Sequence, residues 1–80
     1  MSGFNVAQFF DNGTWEYVRR DVPAEEAAEA ARHYCSSVGA RLGMTVRVII
    51  ADDDDYTVFE WKFGEGVTFP PEARGREPRQ

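Results

Sequence analysis

Alternating apolar and polar positions divide much of the chain into short strands, arranged in two pairs. Residues 4–10 and 14–20 are rich in aromatic and β-branched side chains, which favour strands. The Asp-Asn-Gly sequence at 11–13 is typical of a tight hairpin turn, because asparagine and glycine adopt positive φ at little cost. Residues 45–51 and 56–63 repeat the strand pattern on either side of four aspartates. The pattern therefore predicts two β-hairpins.

Between the hairpins the chain predicts one helix. Pro23 suits its first turn and Gly43 suits its end. Apolar residues recur at spacings of three and four and predict one continuous stripe: Ala27, Ala31, Tyr34, Val38 and Leu42. The predicted fold is α+β, a ββαββ chain whose four-stranded, mainly antiparallel sheet has one helix packed on one face.

Domain organisation is simple, because 80 residues suffice for one hydrophobic core. Residues 1–69 form the predicted α+β domain. Within it, residues 64–66 are interpreted as a break after the fourth strand, and residues 67–69 as a candidate short fifth segment. Residues 70–80 form a polar tail that we expect to be disordered.

One helix can cover only one face of a sheet, and the predicted strands carry aromatic side chains on both faces. Full burial of a large apolar side chain is worth about 1.5–3 kcal/mol, so a partner that covered the open face would stabilise the fold. Trp15 and Trp61 are the aromatic side chains that we expect to contribute to such an interface. A homodimer is one arrangement that would bury them.

The charge of the chain indicates which partners are favoured. Its net charge is −5, and residues 1–69 hold 12 acidic against 6 basic side chains. Proteins that bind nucleic-acid backbones gain much of their affinity from basic side chains, so direct nucleic-acid binding is disfavoured. A basic surface on another protein is the partner that this charge favours.

The strongest charged feature is the turn between the third and fourth strands. We call its four carboxylates the acidic turn: Asp52, Asp53, Asp54 and Asp55. A calcium loop of the EF-hand type needs alternating acids, a mid-loop glycine and a glutamate at its twelfth position, and the following residues do not supply them. A solvated hairpin turn and a contact patch for arginine or lysine are the two interpretations that fit better. Glu60 and Glu65 are further acidic candidates for partner binding.

No catalytic or metal-binding set is recognisable in the sequence. The single cysteine, Cys35, and the single histidine, His33, cannot supply the four ligands of a zinc site, and their spacing on a helix points them apart. We expect a small core residue at Cys35, a surface side chain at His33, and a surface pair at Glu60 and Lys62. The sequence therefore predicts a non-enzymatic protein with no cofactor and no metal.

The expected location is cytoplasmic. A small domain with one cysteine has no internal disulfide, which is typical of a reducing compartment. The first residues do not form a recognisable leader, and no stretch approaches the roughly 20 apolar residues of a membrane span. We therefore expect no membrane partner.

Residues 5–10, 17–20 and 60–70 resemble small uncharacterised proteins encoded by bacteriophages and prophages. In size and charge the chain is similar to phage-encoded inhibitors of host defence, including anti-CRISPR proteins. The resemblance implies a non-catalytic inhibitor in the bacterial cytosol that blocks a basic, nucleic-acid-binding surface on a host protein complex, and it assigns no functional residue. The alternative is a small homodimeric accessory or structural protein with an aromatic sheet-face interface.

Overall fold

A computed structural model describes residues 3–70 of the chain and contains five strands and two helices in that part. Their bounds are Phe4–Phe10 for β1, Trp15–Val22 for β2, Ala24–Cys35 for α1, Val38–Arg41 for α2, Thr45–Ala51 for β3, Thr57–Lys62 for β4 and Gly66–Phe69 for β5. The α+β class is confirmed, whereas the prediction of four strands is wrong by one. The tail predicted for residues 70–80 lies outside the described residues except for Pro70.

The strand order is β2-β1-β3-β4-β5, and each neighbouring pair is antiparallel. The β1–β2 and β3–β4 hairpins form as predicted, and the helical connection places β3 beside β1. The fifth strand arises because Gly64 and Gly66 adopt φ values of 83° and 80°, which allow the chain to reverse tightly after β4. The segment interpreted as a break is thus the turn of a third hairpin.

The hydrophobic core lies between α1 and the strands β1, β2 and β3. Its buried members are aliphatic side chains of the strands and three alanines of the helix: Val6, Val48, Ile50, Ala27, Ala30 and Ala31. Val6 and Val48 have no exposed surface. Because alanine projects only a methyl group, α1 can lie close to the sheet.

The long helix predicted from the apolar stripe is interrupted by two serines. The Ser36 hydroxyl donates to a backbone carbonyl one turn earlier at 2.8 Å, and the Ser37 hydroxyl accepts the N–H of Ala40 at 3.1 Å, which makes Ser37 the N-cap of α2. Serine side chains compete with the helical backbone in this way. As a result Val38 and Leu42 are 71% and 69% exposed, and the prediction that they continue the core stripe is wrong.

Candidate functional site

Trp15 and Trp61 lie on opposite faces of the sheet. Trp61 is paired across the β3–β4 ladder with Val48, and its side chain packs against the core on the face that carries α1. Trp15 is paired with Phe9, whose ring stacks on it at a centroid distance of 5.8 Å on the face that α1 does not cover. A single sheet-face interface therefore cannot contain both tryptophans, and only Trp15 belongs to the open face.

The open face carries a row of rings that are held by their neighbours. Trp15 is 50% exposed and meets Tyr17 edge-on at 5.0 Å. The guanidinium groups of Arg20 and Arg47 lie 4.5 and 4.8 Å from the ring centroids of Tyr17 and Phe9, a cation–π geometry. A guanidinium group therefore covers one face of the Tyr17 ring and one face of the Phe9 ring.

Glu60 also points to the open face, but its carboxylate is engaged within the protein. It accepts hydrogen bonds from Arg47 Nε and from the Thr68 hydroxyl, the latter at 2.7 Å, and its side chain is only 16% exposed. Burial by itself raises the pKa of Glu60. The hydrogen bonds from Thr68 and Arg47 and the positive charges of Arg47 and Lys62 lower it by more, so the pKa of Glu60 lies below its ordinary value of 4.5. The structure thus replaces the expected Glu60–Lys62 surface pair with a half-buried Arg47–Glu60 pair.

The acidic turn is shaped by its first residue. Asp52 Oδ1 accepts the backbone N–H groups of Asp54 and Tyr56 at 2.9 and 3.0 Å, and Asp55 adopts a φ of 70°. Asp52 is half-buried, whereas the other three aspartates of the turn are exposed, and Tyr56 is 71% exposed beside them. Three carboxylates and a phenol therefore face the solvent from one structured turn.

Two distant acids join the turn at the same end of the sheet. Asn5 is paired with Ala51, the last residue before the turn, and the Asn5 side-chain oxygen accepts the N–H of Asp21 at 2.9 Å. Asp21 and Glu25 are both exposed at the junction of β2 and α1. We call Asp21, Glu25 and the acidic turn together the acidic end. The sequence did not predict the placement of Asp21 and Glu25, because it depends on the β1–β3 pairing, which sets this end of the sheet.

Glu65 does not belong to the acidic end. It lies in the turn between β4 and β5, next to the Lys62–Gly66 pair. The acidic turn lies at the other end of β4, where Thr57 is paired with Ala51. The acidic residues predicted as one partner-binding set therefore occupy three separate places.

An apolar groove runs beside α1 on the side of the sheet that carries the core. Two separate cavities of about 370 and 290 Å³ lie along it, and Ile50 and Phe59 line both of them. The wall on α1 consists of residues spaced as one helical face: Ala24, Ala27, Ala28, Ala31, Arg32 and Cys35. The opposite wall is formed by Val58 and Trp61 of β4 and Val67 of β5. We call this feature the groove.

Cys35 and His33 occupy different environments at the end of α1. Cys35 is half-buried against the core, and burial raises the pKa of its thiol to about 11, so it stays protonated near neutrality. His33 is exposed, as predicted. Within residues 3–70, no group of three or more His, Cys, Asp or Glu side chains is arranged to hold a metal ion. In the same part of the chain, neither helix is long and apolar enough to cross a membrane.

No family model matches the sequence, and comparison with curated proteins and with solved structures found no significant match.

Proposed function

We propose that this chain is a non-catalytic binding module that docks onto a basic surface of another protein through its acidic end. The observation that supports this most is that Asp21 and Glu25 lie at the same end of the sheet as the exposed carboxylates of the acidic turn. Neighbouring like charges repel one another, and a cationic partner relieves that repulsion. The same field accelerates the encounter with a basic protein.

A phage-type inhibitor is the form of this function that the sequence resemblance favours. An acidic surface can occupy a basic site that otherwise binds nucleic acid, since both present negative charge to the same cations. Such an inhibitor would act in the bacterial cytosol and would need neither a cofactor nor direct contact with nucleic acid.

Neutralising two carboxylates of the acidic turn is expected to weaken binding to a lysine-rich peptide about fivefold at low salt, since each exposed charge pair contributes about 0.5 kcal/mol. The variant Asp53→Asn/Asp54→Asn leaves Asp52, which shapes the turn, unchanged. The measurement is fluorescence anisotropy of the labelled peptide at about 50 and about 500 mM salt, and the wild-type affinity should fall with salt.

A matched control removes the same number of charges elsewhere. Asp11 and Glu29 are both exposed and lie outside the acidic end, so Asp11→Asn/Glu29→Gln should change affinity by less than about twofold. Equal losses in the two double variants would mean that net charge, and not the acidic end, governs binding.

The exposed rings of the open face favour a second candidate, a homodimer built on that face. Trp15 and Tyr17 are 50% and 41% exposed, and their burial against a second copy would be favourable. Sedimentation equilibrium should then show a salt-insensitive dimer that Tyr17→Ser dissociates. The same change at Tyr56, which lies in the acidic turn region and is 71% exposed, should leave the dimer intact. At about 100 µM, a dimer with a binding free energy of about 6 kcal/mol is substantially populated. A wild-type protein that stays monomeric up to that concentration would contradict this candidate.

A further inference from the structure

The sheet is wider than the helix that covers it. Neighbouring strands lie about 4.8 Å apart, so five strands span roughly 19 Å between the outer two. A helix with its side chains is about 10–12 Å wide. Because α1 packs on β1, β2 and β3, the same side of β4 and β5 is left without a covering helix among residues 3–70.

The groove has the shape and polarity of a helix-binding site. Its α1 wall extends from Ala24 to Cys35, the full length of that helix. Twelve helical residues rise about 18 Å, which matches roughly three turns of a second helix. The small side chains of Ala24 and Ala28 are exposed and would let that helix approach closely. Helix-in-groove recognition uses this combination of length and apolar lining.

The charges around the groove indicate which helix it suits. Its first half, the larger cavity, is lined by Ala24 and Val58, which lie next to Glu25 and three residues after Asp55 in the chain. Its second half includes one charged residue, Arg32. A matching helix would therefore be apolar on one face and basic at the end that meets the acidic end.

Residues 71–80 of this chain do not have that composition. They include three arginines, which suit the acidic end, but their apolar content is one alanine besides the prolines. They offer no large apolar side chain to fill the groove.

We infer that the groove docks an amphipathic helix of a partner protein, about three turns long, whose basic end lies against the acidic end. The inference rests on the proposed function and adds the place and the secondary structure of the partner segment. Apolar side chains of the partner would supply most of the affinity, because the charged contacts are exposed and individually weak.

The test uses a synthetic peptide of about 14 residues with leucines at helical spacing and lysines in one terminal turn. The full-length chain carries Trp15→Phe, so that Trp61 in the groove wall is its one tryptophan. Peptide binding should shift Trp61 emission. Ala28→Lys, which places a long cation in the groove, should weaken affinity at least tenfold, or about 1.4 kcal/mol. His33→Lys adds the same side chain on the exposed side of α1 and should change affinity less than about twofold.

The outcomes distinguish binding in the groove from binding at the acidic end alone. A peptide with serines in place of the leucines should bind much more weakly. If it binds equally well, or if Ala28→Lys has no effect while Asp53→Asn/Asp54→Asn weakens binding, the groove inference is overturned and the proposed function stands. If neither peptide binds at low salt, both fail. If the wild type is a dimer that Ala28→Lys dissociates, a second copy covers the groove and the partner-helix inference is overturned.

Discussion

Val48→Ala is expected to lower the free energy of unfolding by about 2–3 kcal/mol, because it removes buried methyl groups and leaves a cavity in their place. Val48 has no exposed surface and lies at the centre of the core between β3 and α1. Small domains are typically stable by only about 0.05–0.15 kcal/mol per residue, so this loss is a large share of the total. The midpoint of thermal unfolding, followed by circular dichroism, should fall by about 10–20 °C.

The matched control is the same substitution at Val38. Its side chain is 71% exposed in α2, and alanine is the better helix former, so Val38→Ala should change stability by less than about 0.5 kcal/mol. A comparable loss at both positions would mean that Val38 also packs in the core, as the apolar stripe in the sequence predicts, and would contradict the break at Ser36 and Ser37.

Arg47→Met is expected to cost about 2 kcal/mol at pH 7, because it leaves the half-buried carboxylate of Glu60 with one hydrogen-bond donor, Thr68. The cost is smaller than for a fully buried pair, since Arg47 itself is 39% exposed. Glu60→Gln should cost less than Arg47→Met, because the more exposed arginine can be hydrated once its partner is neutral. Urea unfolding at pH 7 measures both.

The pH dependence gives this prediction a second readout. In the wild type the pKa of Glu60 is lower in the folded chain than in the unfolded chain, so its stabilising contribution is complete above about pH 5 and is lost as the pH falls below 4.5. In Arg47→Met the carboxyl loses the hydrogen bond and the charge of the guanidinium, so the pKa of Glu60 is higher than in the wild type and less stabilisation is lost as the pH falls. The stability gap between the two proteins should therefore narrow from pH 7 to pH 4. A gap that stays constant would show that Arg47 stabilises the sheet by packing and not by pairing with Glu60.

Several elements were predictable because their causes are local. The Asp-Asn-Gly turn and the alternation around it lie within a few residues of one another, and the β1–β2 hairpin forms as predicted. The alanine face of α1 follows from spacings of three and four, and Ala27 and Ala31 are buried. The end of α1 also has a local cause, since Ser37 is the N-cap of α2 and the helix cannot continue through it. The apolar periodicity continues across Ser37 and therefore did not predict this break.

The candidate site was only partly predictable. The acidic turn is visible as a run of aspartates, and its exposure follows from its position in a hairpin turn. Three placements depend on strand register: Glu60 bonds to Arg47, Trp61 faces the core, and Glu65 lies at the far end of β4. A shift by one residue moves every side chain of a strand to the other face, so these assignments needed the paired sheet.

The sequence by itself determined the β1–β2 and β3–β4 hairpins, the start and alanine face of α1, and the net negative charge. Turn chemistry and periodicity depend on residues close together in the chain, and net charge depends on composition alone. Only the tertiary structure decided that β1 lies between β2 and β3, that Asp21 and Glu25 lie at the same end of the sheet as the acidic turn, and that apolar cavities remain beside α1. The physical reason is that strand order and helix placement are set by the burial of side chains far apart in the chain.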